Sequence, residues 1–560
     1  MTTATPPAAA AAAAERPPSG AERLLRAAVA AGIEVCFANP GTSEMHFVAA
    51  IDAVGGLRPV LGLHETVCSG AADGYGRMAG KPALTLLHLG PGLANALANL
   101  HNARRAGTPL VNLVGDMATW HAPADPLLSS DIPALAGTVS GHTHVCQLGE
   151  DLGAAMTAAV AAAMRPAGSA GGSRVATLVV PHDLSWERRE AAGANAGTKP
   201  RAAPGGSQQQ GPLPPAAQAF VREAAAALRA CARGKAALYI GGRAALAEGG
   251  ALESCGRIAA ATGAALLCEN AFARLDRGAG LPCPARLPYF PQDAAAALAQ
   301  YDLLLLLDAR RPVANFGYDG APSQLVSLPD EAVWEFDSWG VDLPAALALL
   351  AELVGGSKVQ PRVNCGGVFC TPVRPALPAG RLTAATMCQA VAALQPPGAI
   401  IVDESLTSGN AYYALSRGCP PFAHLTLTGG AIGCGIPLAL GAALACPDRV
   451  VINLQADGSG MYSLQGLWSQ AREGLRVVTI VCANRAYSIL KVEMARERIT
   501  PSNGKAARAL TEIGSPAIDW VSLAQGMGVP ASRAATCEEL AAALQAALKR
   551  QGPSLIEAAL

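Results

Sequence analysis

The run Val450-Val451-Ile452-Asn453-Leu454-Gln455-Ala456-Asp457-Gly458-Ser459 decides how this chain is read. A strand-length apolar stretch ends in an acid, a glycine and a serine. It is answered downstream by Asn484, which follows a second apolar run, Val477-Val478-Thr479-Ile480-Val481. Near-continuous apolar runs suit strands buried on both faces of a parallel sheet, and such sheets hold ligands at the C-terminal ends of their strands. Asp457 offers a carboxylate, Asn484 an amide oxygen and Ala486 a backbone carbonyl. Those three oxygens suit a hard cation, Mg2+ or Ca2+, that carries a diphosphate, with N–H groups of the Gly458-Ser459 turn facing phosphate oxygens. The same residues equally allow an Asp-Gly-Ser β-turn and an unrelated strand-end Asn.

Working outward, 560 residues allow roughly three domains, and 51% hydrophobic residues can fill their cores. The 42 basic and 42 acidic residues cancel, so no global field recruits nucleic acid or an anionic membrane, and a small molecule is the expected partner. Fifteen cysteines stand singly with no CxxC pair. They read as small buried hydrophobes of a reducing compartment, with neither disulfide nor zinc expected. Gly433 to Pro447 is too short to span a bilayer and contains Pro437 and Gly441, which fits a buried helix better. Met1 to Gly20 is an Ala/Pro tract without the Arg/Ser-rich character of a transit peptide. A disordered tail and a cytoplasmic location are the expectations, with organellar import left open.

The pattern divides the chain. From 21 to 190, runs such as Val35-Cys36-Phe37, Ala83 to Leu87 and Leu110 to Val114 alternate with Ala-rich helical segments such as Glu22 to Ala31. A Gly/Pro/Gln-rich linker is expected at 191–215. A second unit, 216–355, carries Ala237 to Ile240 and Leu303 to Leu307, and a second linker follows at 356–380. The third unit, 381–560, holds Ile400-Ile401-Val402, the Asp457 motif and a final strand at Ser554 to Glu557. Alternating strands and helices predict α/β architecture: three successive parallel-sheet domains. Gly241-Gly242 after the second unit's first strand is too common a pair to support a flavin.

Ala456-Asp457-Gly458 and Ala483-Asn484 resemble the GDG and NN motifs of the thiamine-diphosphate-dependent 2-oxo acid decarboxylase and acetolactate synthase superfamily, departing only at the leading residue of each. The resemblance extends to Phe37-Ala38-Asn39-Pro40-Gly41-Thr42-Ser43-Glu44, His64-Glu65, Ala72-Asp73-Gly74-Tyr75-Gly76-Arg77 and Gly90-Pro91-Gly92, in the family's order, and covers nearly the whole chain after the tail. It implies a pyrimidine-binding first domain, a central domain and a diphosphate-binding third domain, with thiamine diphosphate and Mg2+ as cofactors. Because different domains hold the two ends of the cofactor, it also implies a homodimer or homotetramer.

By similarity, Glu65 is the glutamate that bonds the aminopyrimidine and lets the ring's own amino group act as a base. Spacing alone would have Glu65 merely precede a helix expected over Thr66 to Met78. Gly430 and Ile432, in Gly429-Gly430-Ala431-Ile432-Gly433, match the carbonyl that receives the 4'-amino group and the bulky residue that bends the cofactor. Glu404 and Ser405 match residues lining the same cleft. Asp457, Gly458, Ser459, Asn484, Ala486 and Tyr487 complete the expected cofactor contacts, and Asp457, Asn484 and Ala486 the metal set. Tyr487, Ile489 and Leu490, at the start of a helix expected through Arg498, are candidates for shaping the substrate pocket or for ordinary helix packing.

The resemblance implies decarboxylation of a 2-oxo acid, with the retained fragment trapped by a second carbonyl or by a proton. Acetolactate-synthase-like carboligation is the first expectation. His88, in Leu86-Leu87-His88-Leu89-Gly90, resembles the active-site histidine of benzoylformate decarboxylases, and Thr42 their serine near the substrate carboxylate, so non-ligating decarboxylation is the alternative. No counterpart of those enzymes' second histidine exists in Val313 to Tyr318. His88 also reads as a core histidine behind a strand. A catalytically silent, cofactor-binding or regulatory relative is the third reading, and the joint presence of Glu65, Asp457 and Asn484 argues against it.

Overall fold

Three sheets follow one another along the chain. The structure, a computed structural model, describes residues 16–165, 172–189, 213–336, 342–360, 367–500 and 504–560. The expected tail up to residue 15, most of the first linker (191–212) and residues 361–366 of the second lie outside the described residues.

The first sheet contains β1 (Val35–Asn39), β2 (Arg58–Leu61), β3 (Ala83–Leu87), β4 (Leu110–Asp116), β5 (His142–Val145) and β6 (Val175–Pro181), in the order β2-β1-β3-β4-β6-β5, all parallel. The second unit supplies β7 (Ala236–Ile240), β8 (Ala265–Cys268), β9 (Leu275–Arg277), β10 (Ala285–Arg286), β11 (Leu303–Leu307) and β12 (Val333–Glu335). Five of these form a parallel sheet in the order β10-β8-β7-β11-β12. The sixth, β9, leaves its own unit and pairs antiparallel with β14 of the third sheet. That last sheet runs β17-β18-β16-β15-β13-β14-β9, with β13 (Ile400–Glu404), β14 (Phe422–Thr426), β15 (Val451–Ala456), β16 (Val477–Ala483), β17 (Ala531–Ala534) and β18 (Ser554–Ala559).

The central strands β3, β11 and β16 are buried at every position, the consequence of helices on both faces and the reason they read as unbroken apolar runs. In the third sheet, Ala456 of β15 pairs with Cys482 of β16. The chain therefore delivers Asp457 and Asn484 from neighbouring strands at one end of the sheet.

First and third domains meet through two helices, Glu65–Ala79 and Gly435–Ala445. Their backbones approach so closely that a Cβ at Gly74 would fall 2.1 Å from the Leu438 carbonyl oxygen, and one at Gly441 1.8 Å from that of Ala71. Glycine is required at both crossings. A buried ion pair locks the joint: Arg77 donates to both Asp73 oxygens at 2.9 and 2.5 Å and reaches the Ala273 and Thr426 carbonyls and the Thr428 hydroxyl. One guanidinium thus ties all three units together. Among the described residues no helix is long and apolar enough to cross a membrane, and every described cysteine is free.

Candidate active site

At the end of β15 the chain turns into a short helix, Asp457–Gly460, rather than a β-turn. Asp457 Oδ2 accepts the Arg485 N–H at 2.6 Å and Oδ1 the Gly458 N–H at 2.8 Å. Asn484 Oδ1 accepts the next N–H along, that of Ala486, at 3.0 Å. The two side-chain oxygens are therefore seated on successive peptides of one loop, which Arg485 bends by adopting φ +59°. Burial pushes the Asp457 carboxyl above the usual carboxylate range, against its backbone N–H donors. Tyr487 lays its ring over Gly458, where a Cβ would come within 2.5 Å of the ring. Ala456 sits at φ −71°, ψ 142°, ordinary extended backbone, so the missing leading glycine costs nothing.

Beneath this loop runs a buried polar row. Ser459 Oγ accepts from Gln455 Nε2 at 2.7 Å, and the same amide donates to Glu404 Oε2 at 2.9 Å. Glu404 also accepts the N–H groups of Gly433, Cys434 and Gly435 at 2.6, 3.2 and 2.7 Å. Both its oxygens are occupied by protein donors at the start of the Gly435–Ala445 helix. Ser405 is 1% exposed and donates to Asp403. Glu404 thus braces the glycine-rich turn from below, while Ser405 is tied to Asp403 of β13.

That turn is pinned by the first domain. Asn102 accepts the N–H groups of Gly429 and Ala431 at 3.1 and 3.3 Å and donates to the Ala431 carbonyl at 2.8 Å, while His101 Nε2 lies 3.1 Å from the Gly429 carbonyl. Gly430 takes φ +77° with open space where a Cβ would stand, and Ile432 beside it is half-buried.

In the first domain, Glu65 is the opening residue of its helix, not the residue before it, because the His64 ring accepts the Thr66 N–H at 3.2 Å and caps the end. Glu65 accepts from Asn95 Nδ2 at 3.0 Å. His88 follows β3 directly, and Leu89 comes next at φ +48°, a strained turn into the helix Leu89–Ala106. Glu65 and His88 flank Gly92, whose absent Cβ would lie 3.3 Å from Glu65 Oε1 and 3.4 Å from His88 Cβ.

Glu44 lies behind His88. Its side chain is 0% exposed and accepts from His88 Nδ1 at 2.7 Å, from the Gly41 N–H at 2.8 Å and from the Ser43 hydroxyl at 2.8 Å. With Nδ1–H engaged by the carboxylate, Nε2 is the imidazole's remaining acid–base atom. Thr42 is exposed on the same loop, and its neighbour Ser43, 3.3 Å from Nδ1, is the hydroxyl that touches the histidine.

Residues 18–135 match the N-terminal TPP-binding domain of thiamine pyrophosphate enzymes, and residues 408–558 the C-terminal TPP-binding domain. A Mycobacterium tuberculosis protein, provisionally named acetolactate synthase large subunit IlvX, is 47% identical over 96% of this chain and 98% of its own length. The chain belongs to the thiamine-pyrophosphate-dependent enzymes. A benzoylformate decarboxylase of Pseudomonas aeruginosa is 29% identical over 94% of this chain and 96% of its own. The solved structure of a thiamine diphosphate-dependent 4-hydroxybenzoylformate decarboxylase from Rhodococcus jostii RHA1 superposes with a TM-score of 0.77 at 24% identity, covering 97% of this chain and 99% of that one, a likeness of fold.

The residues present fit a thiamine diphosphate. Asp457 and Asn484 bring side-chain oxygens to neighbouring strand ends, Gly430 leaves open space at its turn, and the Glu65 carboxyl is buried at a helix start in the first domain. Sequence reasoning missed four residues of this thiamine pyrophosphate enzyme that touch its machinery: Glu44, Asn95, Asn102 and Gln455. Glu44 stands in a motif quoted for its glycine and threonine, and a buried acid in such a motif was the available signal. The other three carry none, because an Asn or Gln declares its partner only in three dimensions.

Proposed function

We propose that this thiamine pyrophosphate enzyme decarboxylates a 2-oxo acid and releases the retained fragment by protonation, with His88 as the proton-handling residue. The observation that carries the reading is the Glu44–His88 pair at the end of β3, flanking Gly92 opposite Glu65. Thiamine diphosphate supplies the electron sink that makes loss of carbon dioxide feasible. Asp457, Asn484 and the Ala486 carbonyl would hold Mg2+ on its diphosphate; Gly458 and Ser459 would offer backbone N–H groups to phosphate oxygens, and Tyr487 would wall the site. Glu65 would exchange a proton with the pyrimidine ring, Gly430 would accept its amino group, and Ile432 would press it into the bent shape. Glu404 would act one layer down, keeping Gly433 to Gly435 in place, and Ser405 would line the same cleft at the end of β13. Thr42, exposed on the Gly41 loop, would meet the substrate carboxylate. A homodimer or homotetramer would give cover to the loop after β4, where Trp120 and Leu127 stand 73% and 98% exposed.

The name of the 47% identical relative favours a second reading, acetolactate-synthase-like carboligation, in which another 2-oxo acid takes the place of the proton. Single-turnover carbon dioxide release and product analysis with pyruvate and benzoylformate, on wild type, Glu65→Gln and His88→Ala, separates the two. An aldehyde product that disappears in His88→Ala supports protonation. Acetolactate that survives His88→Ala establishes carboligation. Absence of carbon dioxide from either substrate, with cofactor bound, overturns both for these acids.

A further inference from the structure

Outside the thiamine site, one cluster of side chains among the described residues has the composition and spacing of a metal centre. We infer that His144, Cys146 and Glu150 bind a borderline-soft divalent cation of the Zn2+ class. Strand alternation puts His144 and Cys146 on one face where β5 leaves the sheet. Glu150 is brought back to them by a tight turn: its N–H donates to the Gln147 carbonyl at 3.1 Å and Gly149 takes φ +86°. The imidazole Nε2 and the Glu150 Oε1 approach to 2.6 Å, and one ligand atom from each of the three residues lies within 4.8 Å of the others. Around one zinc, with bonds of about 2.0 to 2.3 Å, neighbouring ligand atoms stand roughly 3 to 4 Å apart, so the trio needs only a small contraction.

The surroundings support the same use. Glu150 Oε2 is fixed by the Gln147 N–H at 2.8 Å, leaving Oε1 aimed at the cluster, the kind of outer contact that orients metal-bound carboxylates. Cys146 forms a buried floor, and His144 and Glu150 are partly open to solvent, which gives an ion a way in. A bound cation would displace the thiol proton to solvent as the sulfur–metal bond forms. Three protein ligands leave a fourth position for water. His142, stacked on His144 with ring centroids 6.4 Å apart, offers a further imidazole.

This centre is distinct from the diphosphate site. It sits on the edge strand of the first sheet, three strands from β3 and therefore roughly 14 Å across the sheet from His88. Its nitrogen, sulfur and carboxylate set selects a different ion from the all-oxygen set of Asp457, Asn484 and Ala486. It also departs from the zinc-free expectation drawn from cysteine spacing, since a site with a single cysteine leaves no paired-cysteine signature.

The test is a Co2+ titration of chelator-stripped, full-length protein kept in thiamine diphosphate and excess Mg2+, followed by Zn2+ competition and metal analysis. The expected result is one Co2+ per chain with a sulfur-to-cobalt charge-transfer band, displaced by Zn2+. The band is lost in Cys146→Ser, affinity falls at least tenfold in His144→Ala and Glu150→Gln, and both persist in Asp457→Asn. The two surface variants leave the buried floor intact, so the test stands even if Cys146→Ser misfolds. No stoichiometric band in wild type, or an unchanged affinity in both surface variants, overturns the inference.

Discussion

Replacing Glu44 with Gln removes one negative charge and almost nothing else, which makes it the sharpest probe of the proton-handling reading. In the wild type, Oε2 accepts from both the Gly41 N–H and His88 Nδ1, and Oε1 accepts from the Ser43 hydroxyl. A glutamine can place its carbonyl oxygen at the Oε2 position and its NH2 toward Ser43, whose hydroxyl rotates to accept. All three contacts survive, so the fold and the orientation of the ring are preserved. What is lost is the charge assistance to an imidazole that must gain and release a proton. Charged hydrogen bonds contribute about 1.5 to 3 kcal/mol and neutral ones about 0.5 to 1.5, a difference of roughly 1 to 1.5 kcal/mol, or about tenfold in rate. Aldehyde release under single-turnover conditions should slow by about that factor, while affinity for thiamine diphosphate and Mg2+, to which Glu44 supplies no contact in the proposed site, stays at the wild-type value. His88→Ala should cost more, about 10² to 10⁴, the usual worth of a positioned acid–base group. A Glu44→Gln protein that releases aldehyde at the wild-type rate while His88→Ala is crippled would refute the idea that Glu44 tunes the histidine. Equal loss of cofactor binding in both would show instead that the pair is structural.

Three further outcomes follow from other parts of the molecule. Arg77→Met strands the Asp73 carboxylate, whose side chain is 1% exposed, with the Thr108 hydroxyl and little else, and should destabilise the chain by about 3 to 5 kcal/mol in urea unfolding; a loss below about 1 kcal/mol would show that the three-way joint is not held there. His424, 0% exposed and accepting from Arg277 at 3.2 Å, is held by burial at about 4, so the unfolded chain takes up its proton first. Stability should therefore be full above pH 6.5 and decline as pH falls toward about 4, by something on the order of 3 kcal/mol, and His424→Gln should flatten that slope in pH-dependent denaturation. Ala456→Gly, which restores the family's leading glycine at a position already in extended backbone, should leave calorimetric affinity for thiamine diphosphate and Mg2+ within about threefold; a large gain would show that the turn is strained after all.

The parts of this molecule that were legible in its sequence share one physical property: their signal is local. β3, β11, β15 and β16 are buried on both faces, and burial on both faces writes an unbroken apolar run into the chain itself. The residues that follow such runs, His88, Asp457 and Asn484, inherit a fixed place at the C-terminal ends of the strands, so their position could be read from the runs before them. Short edge strands carry no such mark. His142–Val145 alternates polar side chains, and Leu275–Arg277 looks like part of the second unit until its backbone pairs with β14. Glu404 shows what sequence does not display: it ends β13, where a cleft position is expected, and three N–H groups and an amide claim both its oxygens. A carboxylate's role depends on which donors reach it first, and at Glu404 and Glu44 those donors come from segments far along the chain or folded back upon it. Glu65 stands between the two cases. Its identity as a strand-end acid was visible, but its place as the first residue of the helix depends on a histidine accepting the cap hydrogen bond, a job sequence reasoning reserves for Ser, Thr, Asp and Asn. The cap places the Glu65 carboxyl in the first turn of the helix, beside Asn95 and across Gly92 from His88, and on that juxtaposition the proposed division of labour between one carboxylate and one imidazole rests.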